Sequence, residues 1–239
     1  MAVDIALNYP LWIAAKRIGV GMRPLPPTVR ETYKGGASLW LSLGPTTVVE
    51  DSVTRFVESA LPREAPQRQL VSAALSGAVA AVTVTSQVEH LITVAHSRSL
   101  SILQSFRHLH AEEGVRGLLL PRGMLAMVGR EVPFASALFY ARPAISEAVY
   151  GSEEPRKMRW YKELLAGALT SAITSPLSHV PSVIVAYQQG HGVSLSRACT
   201  EIYREGGLIE FWRGLVPRTV SLAGTMTVVP VILHLLAAR

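Results

Sequence analysis

The chain has 239 residues, of which 49% are hydrophobic and 17% charged, with a formal net charge of +6 and one cysteine, Cys199. So little charge points to a membrane rather than to a water-soluble domain, and a lone cysteine, read as a plain buried thiol, excludes an internal disulfide, a thiolate metal cluster and a CxxC redox pair. The Lys and Arg residues are scattered over loops and helix ends rather than gathered on one face, which favours contact with anionic lipid over nucleic acid.

Residues 2 to 21 read as a first helix broken at Pro10, with Lys16 and Arg17 near its end. Nine residues precede Pro10, whereas the uncharged run before Pro176 begins at Leu164 and is extended by Trp160 and Tyr161. A deficit of about seven residues is roughly 10 Å of helix, a third of the ~30 Å hydrocarbon core, so this helix is expected to span incompletely. No secretory signal or transit helix is expected ahead of it. A polar connection from Gly21 to Gly36 contains a short helix over 29–33 that is ended by two glycines. The second span, 45–61, is the most polar, with Glu50, Asp51, Arg55 and Glu58, and must turn a wide face to protein or water.

The third span, 70–88, is uncharged throughout, and Gly77 within it allows close helix contact. Residues 99–110 place Leu100, Leu103, Phe106 and Leu109 at helical spacing, which suits a helix along the membrane surface. A fourth span, 121–147, carries Arg130-Glu131-Val132-Pro133-Phe134. A charged stretch, 151–162, precedes a fifth span at 164–186, a third surface helix at 194–204 and a sixth span at 219–238. The second and fourth spans are expected to score poorly on hydropathy, and both termini to lie on one side. Trp12, Trp40 and Trp212 read as interface anchors.

An internal repeat runs through this order. Glu205-Gly206-Gly207 leads to Phe211-Trp212-Arg213-Gly214 and Pro217; Glu113-Gly114 leads to Arg122-Gly123; Gly35-Gly36 leads to Trp40, Ser42 and Pro45. Three copies, roughly 80 to 90 residues apart, mean one unit used three times, with boundaries at 1–66, 67–155 and 156–239 in a single domain. The arrangement resembles the mitochondrial carrier family, whose repeats each join two membrane helices through a short matrix-side helix. The resemblance implies an all-α membrane protein of three tandem repeats, a six-helix bundle with its first helix shortened, multi-pass in the mitochondrial inner membrane.

In that family each odd-numbered helix bears a proline, an acid two residues on and a base three after that, and the three pairs form a ring that closes the matrix side. Here Pro10 is followed by Trp12 and Ala15 at those positions, with Lys16 one residue out of register. The second repeat has Ser86, Val88 and Leu91, with Glu89 displaced by one, and the third keeps Pro176 but has Ser178 and Pro181. No repeat retains both charges, so the ring is not expected to form. The cytosolic-side counterparts, near Phe56 to Arg63, at Arg142-Pro143-x-x-Ser146 and at Leu233-His234-x-x-Ala237, are also out of register, although Glu58 and Arg63 could pair loosely.

Aligning the repeats on Ser42, Gly123 and Gly214 puts Glu50 level with Glu131, and Ser221 and Leu222 at the same depth. Neighbours on a helix point in different directions, so Arg130 is expected to pair with Glu50 or Asp51 rather than with Glu131. In the family this depth is where substrate contacts cluster. Arg130, Glu131, Glu50 and Asp51 are therefore either a site for an amino acid or carboxylate or, as preferred, an interhelical ion pair in a dry bundle. Arg122-Gly123 and Arg213-Gly214 sit where helix N-termini begin, a place at which the family holds cardiolipin. A lipid headgroup and a solvated charge are both compatible with Arg213-Gly214, and the solvated charge is preferred for Arg122.

No nucleophile motif, phosphate loop or metal-ligand spacing is visible, so an enzyme, a metal and a cofactor are not expected, beyond cardiolipin or another anionic phospholipid. Two functions remain. The lost charge networks favour a protein that no longer transports and serves as a structural or accessory subunit of a respiratory or ATP synthase complex. The alternative is a divergent solute carrier for an amino acid or carboxylate.

Overall fold

In a computed structural model, which describes residues 2–62, 64–65, 67–151 and 159–237, the chain is helical and contains no strand among the described residues. The helices are α1 (Ala2–Gly19), α2 (Val29–Thr32), α3 (Gly36–Ala60), α4 (Arg68–Ala80), α5 (Ser86–Ser97), α6 (Ile102–Leu119), α7 (Met124–Ser136), α8 (Arg142–Tyr150), α9 (Trp160–His191), α10 (Leu195–Gly206) and α11 (Leu215–Ala237). A π-turn over Ala81–Thr85 joins α4 to α5, a second over Ala137–Ala141 joins α7 to α8, and a 3₁₀ turn over Gly207–Trp212 follows α10.

The bundle is ordered by neighbour packing: α3 lies on α4, α4 on α7, α7 and α8 on α9, α9 on α11, and α11 on α1, while α1 also reaches α5 and α9. Helix α1 runs through Pro10 without a break; in a bundle, neighbouring helices can absorb the one hydrogen bond that proline removes. The same holds for Pro45, so α3 begins at Gly36, nine residues before the expected start of the second span. The long runs Arg68–Ser97 and Trp160–His191 are each long and apolar enough to cross a membrane.

On α9 the usual sorting of residues is inverted. Ala166, Gly167, Thr170, Ser171, Thr174, Ser175 and Ser178 are buried, whereas Leu164, Leu165, Leu169, Ile173 and Leu177 are exposed. Small and hydroxylated residues inside with large apolar ones outside is the arrangement of a helix whose surroundings are hydrocarbon, because only close packing and hydrogen bonding, not expulsion of water, hold such helices together. Thr170 and Thr174 each return a hydroxyl proton to the carbonyl four residues back, at 2.7 Å, so these buried hydroxyls need no partner on another helix.

Left-handed glycines mark the repeats. Gly35, Gly123 and Gly214 have φ of 85°, 85° and 81°, and each directly precedes α3, α7 or α11 in turn. Only glycine takes this conformation without strain, so the three start equivalent helices. Tyr33-Lys34-Gly35 is thus the first copy of the element seen at Trp212-Arg213-Gly214, and Ser42 is not its glycine equivalent. Surface helices α6 and α10 start on serine caps: Ser101 forms a capping box with Gln104, and Ser194 accepts from the Arg197 amide at 3.4 Å. Helix α10 docks Ala198 and Ile202 on Val183 and Tyr187 of α9. Cys199, beside that stripe, is half-buried rather than enclosed.

Two glycines let helices meet backbone to backbone. A Cβ on Gly77 of α4 would lie 2.8 Å from the Glu131 carbonyl oxygen and 2.7 Å from the Ala135 Cβ, and one on Gly167 of α9 would lie 3.1 Å from the Thr227 amide. Gly77→Leu is expected to lower unfolding stability by about 1–3 kcal/mol through overpacking. Leu177→Ala, on the outer face, is expected to stay within roughly 0.5 kcal/mol. Reversible unfolding in bicelles measures both.

Candidate functional site

Charged side chains from three helices meet inside the bundle, toward the end where α1 stops and α7 begins. Lys16 of α1 pairs with Glu89 of α5, Nζ to Oε2 at 2.6 Å. Glu89 in turn receives both ends of the Arg130 guanidinium from α7, Nη1 to Oε2 at 2.7 Å and Nη2 to Oε1 at 2.5 Å. Arg130 also donates through Nε to Glu131 Oε1 at 2.8 Å, and its Nη2 meets the same oxygen. Glu89 and Arg130 are 2% and 5% exposed. A charge so buried is tolerable only when its partners take up its hydrogen-bonding capacity, as this fork does.

One expectation is overturned here. Arg130 binds Glu89 and Glu131, not Glu50 or Asp51. Counted from Gly35, Arg130 is level with Ser42, and Glu50 lies seven residues, about 10 Å, further along its helix than Glu131. Asp51 instead pairs with Arg55 on its own exposed face at 2.8 Å. Glu50 borders a separate cleft of about 370 Å³ with Asp51, Glu58, Gln69, Ser72 and Phe139. Glu131 reaches Arg130 because the planar guanidinium offers donors on two edges, one to each acid.

The displaced charges nevertheless find one another. The ring of three pairs is not formed, but Lys16 and Glu89, each one residue out of the family's register, make one inter-repeat pair. The π-turn at Ala81–Thr85 inserts one residue into the helix ahead of Glu89. It gives Glu89 the face that a count along an ideal α-helix assigns to Val88. Trp12 is no interface anchor: Lys16 Nζ stands 4.6 Å above its ring centroid, and Tyr9 packs on its other neighbourhood with ring centroids 5.4 Å apart.

Arg218 of α11 completes the group. It is 7% exposed, donates to Ser178 Oγ at 3.3 Å, and keeps its Nε without a partner. His179 Nε2 lies 3.1 Å from the Arg213 carbonyl oxygen; a carbonyl only accepts, so Nε2 carries the proton. The space bordered by Trp12, Lys16, Arg130, His179 and Arg218 measures about 20 Å³, room for one water molecule and not for a metabolite.

A second buried pair lies at the opposite end. Arg142 of α8 binds Glu163 of α9, and its Nε donates to the Met226 carbonyl of α11 at 3.0 Å, while Tyr150 donates to the other Glu163 oxygen at 2.9 Å. The Arg142-Pro143-x-x-Ser146 stretch, out of register in the sequence, supplies a base at Arg142, and the acid comes from a neighbouring helix. Arg68 takes the role expected of Arg63, 4.0 Å from Glu58; Arg63 itself is outside the described residues. Thus Arg142 and Glu163 were missed for want of a local spacing, and Lys16 and Glu89 were visible only as displaced charges.

At the helix starts, Arg213 spends its donors inside the protein, on Glu205 at 2.7 Å, Glu210 at 3.1 Å and the Gly19 carbonyl at 2.7 Å. Gly214 sits against the Ala15 carbonyl, where a Cβ would approach to 3.2 Å. Arg122 pairs with Glu113 at 3.1 Å and stays half exposed, beside a buried Gly123.

Comparison with known proteins supports the architecture. Residues 159–229 match the family model described as mitochondrial carrier protein. The chain is 25% identical to mitochondrial substrate carrier family protein Z of Dictyostelium discoideum over 64% of its own length and 52% of that relative, about half of it. It is 24% identical to mitochondrial citrate transporter A of Aspergillus niger, covering 92% of this chain and 82% of the relative. An uncharacterized mitochondrial carrier of Schizosaccharomyces pombe is 23% identical over 93% and 76%.

Arg130→Ala strands Glu131 and leaves Glu89 with Lys16 alone. It is expected to cost about 3–5 kcal/mol of unfolding free energy. Glu50→Gln, away from the fork, is expected to change stability by less than roughly 0.5 kcal/mol in the same bicelle assay.

Proposed function

We propose that this chain, a divergent member of the mitochondrial carrier family, is a multi-pass inner-membrane protein that does not turn over a solute and serves as a structural subunit of a larger respiratory or ATP synthase assembly. The observation behind this reading is that a buried ion pair joins different helices toward each end of the bundle. Lys16–Glu89 ties α1 to α5 at one end, and Arg142 ties α8 to α9 and α11 at the other. Alternating access needs one end to release as the other closes, with the two states within a few kcal/mol. Separating α1 from α5 here would leave buried charge unpaired, and the one-water space beside Lys16 has no volume for a substrate.

A second reading, a carrier for a carboxylate, has one feature in its favour. Lys16, Arg130 and Arg218 face only Glu89 and Glu131 in the group, which leaves one positive charge for an anion. The similarity to a protein named a citrate transporter agrees with that class of solute. In either reading an anionic phospholipid such as cardiolipin is the lipid we assign to the half-exposed Arg122 and the adjoining start of α7.

Reconstitution separates the two. Proteoliposomes are expected to show no uptake of labelled citrate, other carboxylates or amino acids above protein-free vesicles, and a native gel of mild-detergent extracts is expected to place the 25.8 kDa chain with a large oxidative-phosphorylation complex. Uptake that Arg218→Ala abolishes, with migration as a lone small species, would establish the carrier instead.

A further inference from the structure

We infer that the chain has a second polar site, at the end of the bundle where α5, α6 and α9 converge, which binds a small oxyanion, a carboxylate or phosphate group, and is connected to the Lys16–Glu89 pair. The cleft there measures about 320 Å³, and its border includes His90, Gln189, and the pairs Arg98 with Glu112 and Arg122 with Glu113. This volume is at the lower end of small-ligand pockets.

The ligand's chemistry follows from the groups left unfilled. Lys16 Nζ donates to Thr93 Oγ1 at 3.0 Å, and Thr93 Oγ1 lies 3.0 Å from Gln189 Oε1. An ammonium only donates, so the threonine hydroxyl must pass its own proton to the Gln189 oxygen. That fixes the carboxamide of Gln189, a cleft-lining residue 2% exposed, and leaves its Nε2 with no acceptor. His90, also 2% exposed and next in sequence to Glu89, borders the same space without a hydrogen-bond partner among the described residues. Arg98 and Arg122 stand at the rims, each held by one glutamate, Arg98 to Glu112 at 3.6 Å and Arg122 to Glu113 at 3.1 Å, with further donors free to turn inward. Unfilled donors around a polar cleft call for an acceptor, and oxyanions supply several in a small volume. The cleft's His and Glu side chains do not converge as metal ligands do.

An oxyanion on Gln189 Nε2 polarises the amide, making Oε1 a better acceptor for Thr93 and strengthening Thr93's hold on Lys16. Occupancy of the cleft therefore tightens the pair that ties α1 to α5, whether or not the chain transports.

The test uses the full chain in phosphatidylcholine nanodiscs, with labelled inorganic phosphate and malonate in equilibrium dialysis. About one saturable phosphate or malonate per chain is expected. Gln189→Met, which keeps the length and removes the amide, and Arg98→Ala, at an exposed position, are each expected to weaken binding at least about tenfold, and Arg107→Ala to leave it unchanged. Repeating the assay with cardiolipin in the disc distinguishes the source: loss of phosphate binding in the wild type means a lipid headgroup fills the site, and retention means a free solute does. Absence of saturable binding overturns the inference, as does equal binding by folded Gln189→Met and Arg98→Ala chains. If Gln189→Met does not fold, Arg98→Ala decides alone.

Discussion

Everything at the centre of this protein depends on keeping Glu89 satisfied away from water. Its two oxygens take Lys16 from one side and the Arg130 fork from the other, so one carboxylate joins α1 and α7 to its own α5. Removing any one partner leaves a charge that neither hydrocarbon nor a space for one water can solvate. The group is thus a fastening, and its cost in desolvation is the reason it resists being undone. The same logic governs Arg142 and Glu163 at the far end, where a backbone carbonyl of α11 supplies the remaining acceptor.

The packing that surrounds these charges makes such fastening effective. Gly77 and Gly167 bring α4 against α7 and α9 against α11 at backbone distance, and the buried faces are built from alanine, serine and threonine, with the Thr170 and Thr174 hydroxyls bonded within their own helix. Close-packed, small-residue contacts leave little slack to be taken up by rotation of one helix against another. The large apolar side chains face outward, where they meet lipid or a partner without disturbing the interior. Buried ion pairs toward both ends with close packing between them are the features on which the structural role we propose rests.

Much of the architecture was legible in the sequence, and the reasons for the failures are local. The apolar runs and the glycine-marked repeat indicate the helices, since left-handed glycines at equivalent points leave a trace in sequence; the first copy is displaced because Pro45 stands three residues after Ser42, as Pro217 does after Gly214, while Gly35 is followed at that step by Ser38. That shift of seven residues carried Glu50 and Asp51 to the depth of Glu131 and produced a pair that does not exist. Glu89 was dismissed for being one residue off, because counting along an ideal helix cannot see a π-turn. Arg142 and Glu163, on different helices, share no spacing, and only packing brings them together.

The most direct measurement of the central claim is the distance across each end of the bundle in a membrane. Spin labels would be placed in a Cys199→Ser background at Arg107 and Thr200 on the surface helices, and at Ser59 and Glu147 at the opposite end. The account requires one narrow distance distribution for each pair, unchanged by citrate, other carboxylates or amino acids. Two populations that shift in opposite senses, one end widening as the other closes, would show that the bundle alternates and would contradict it.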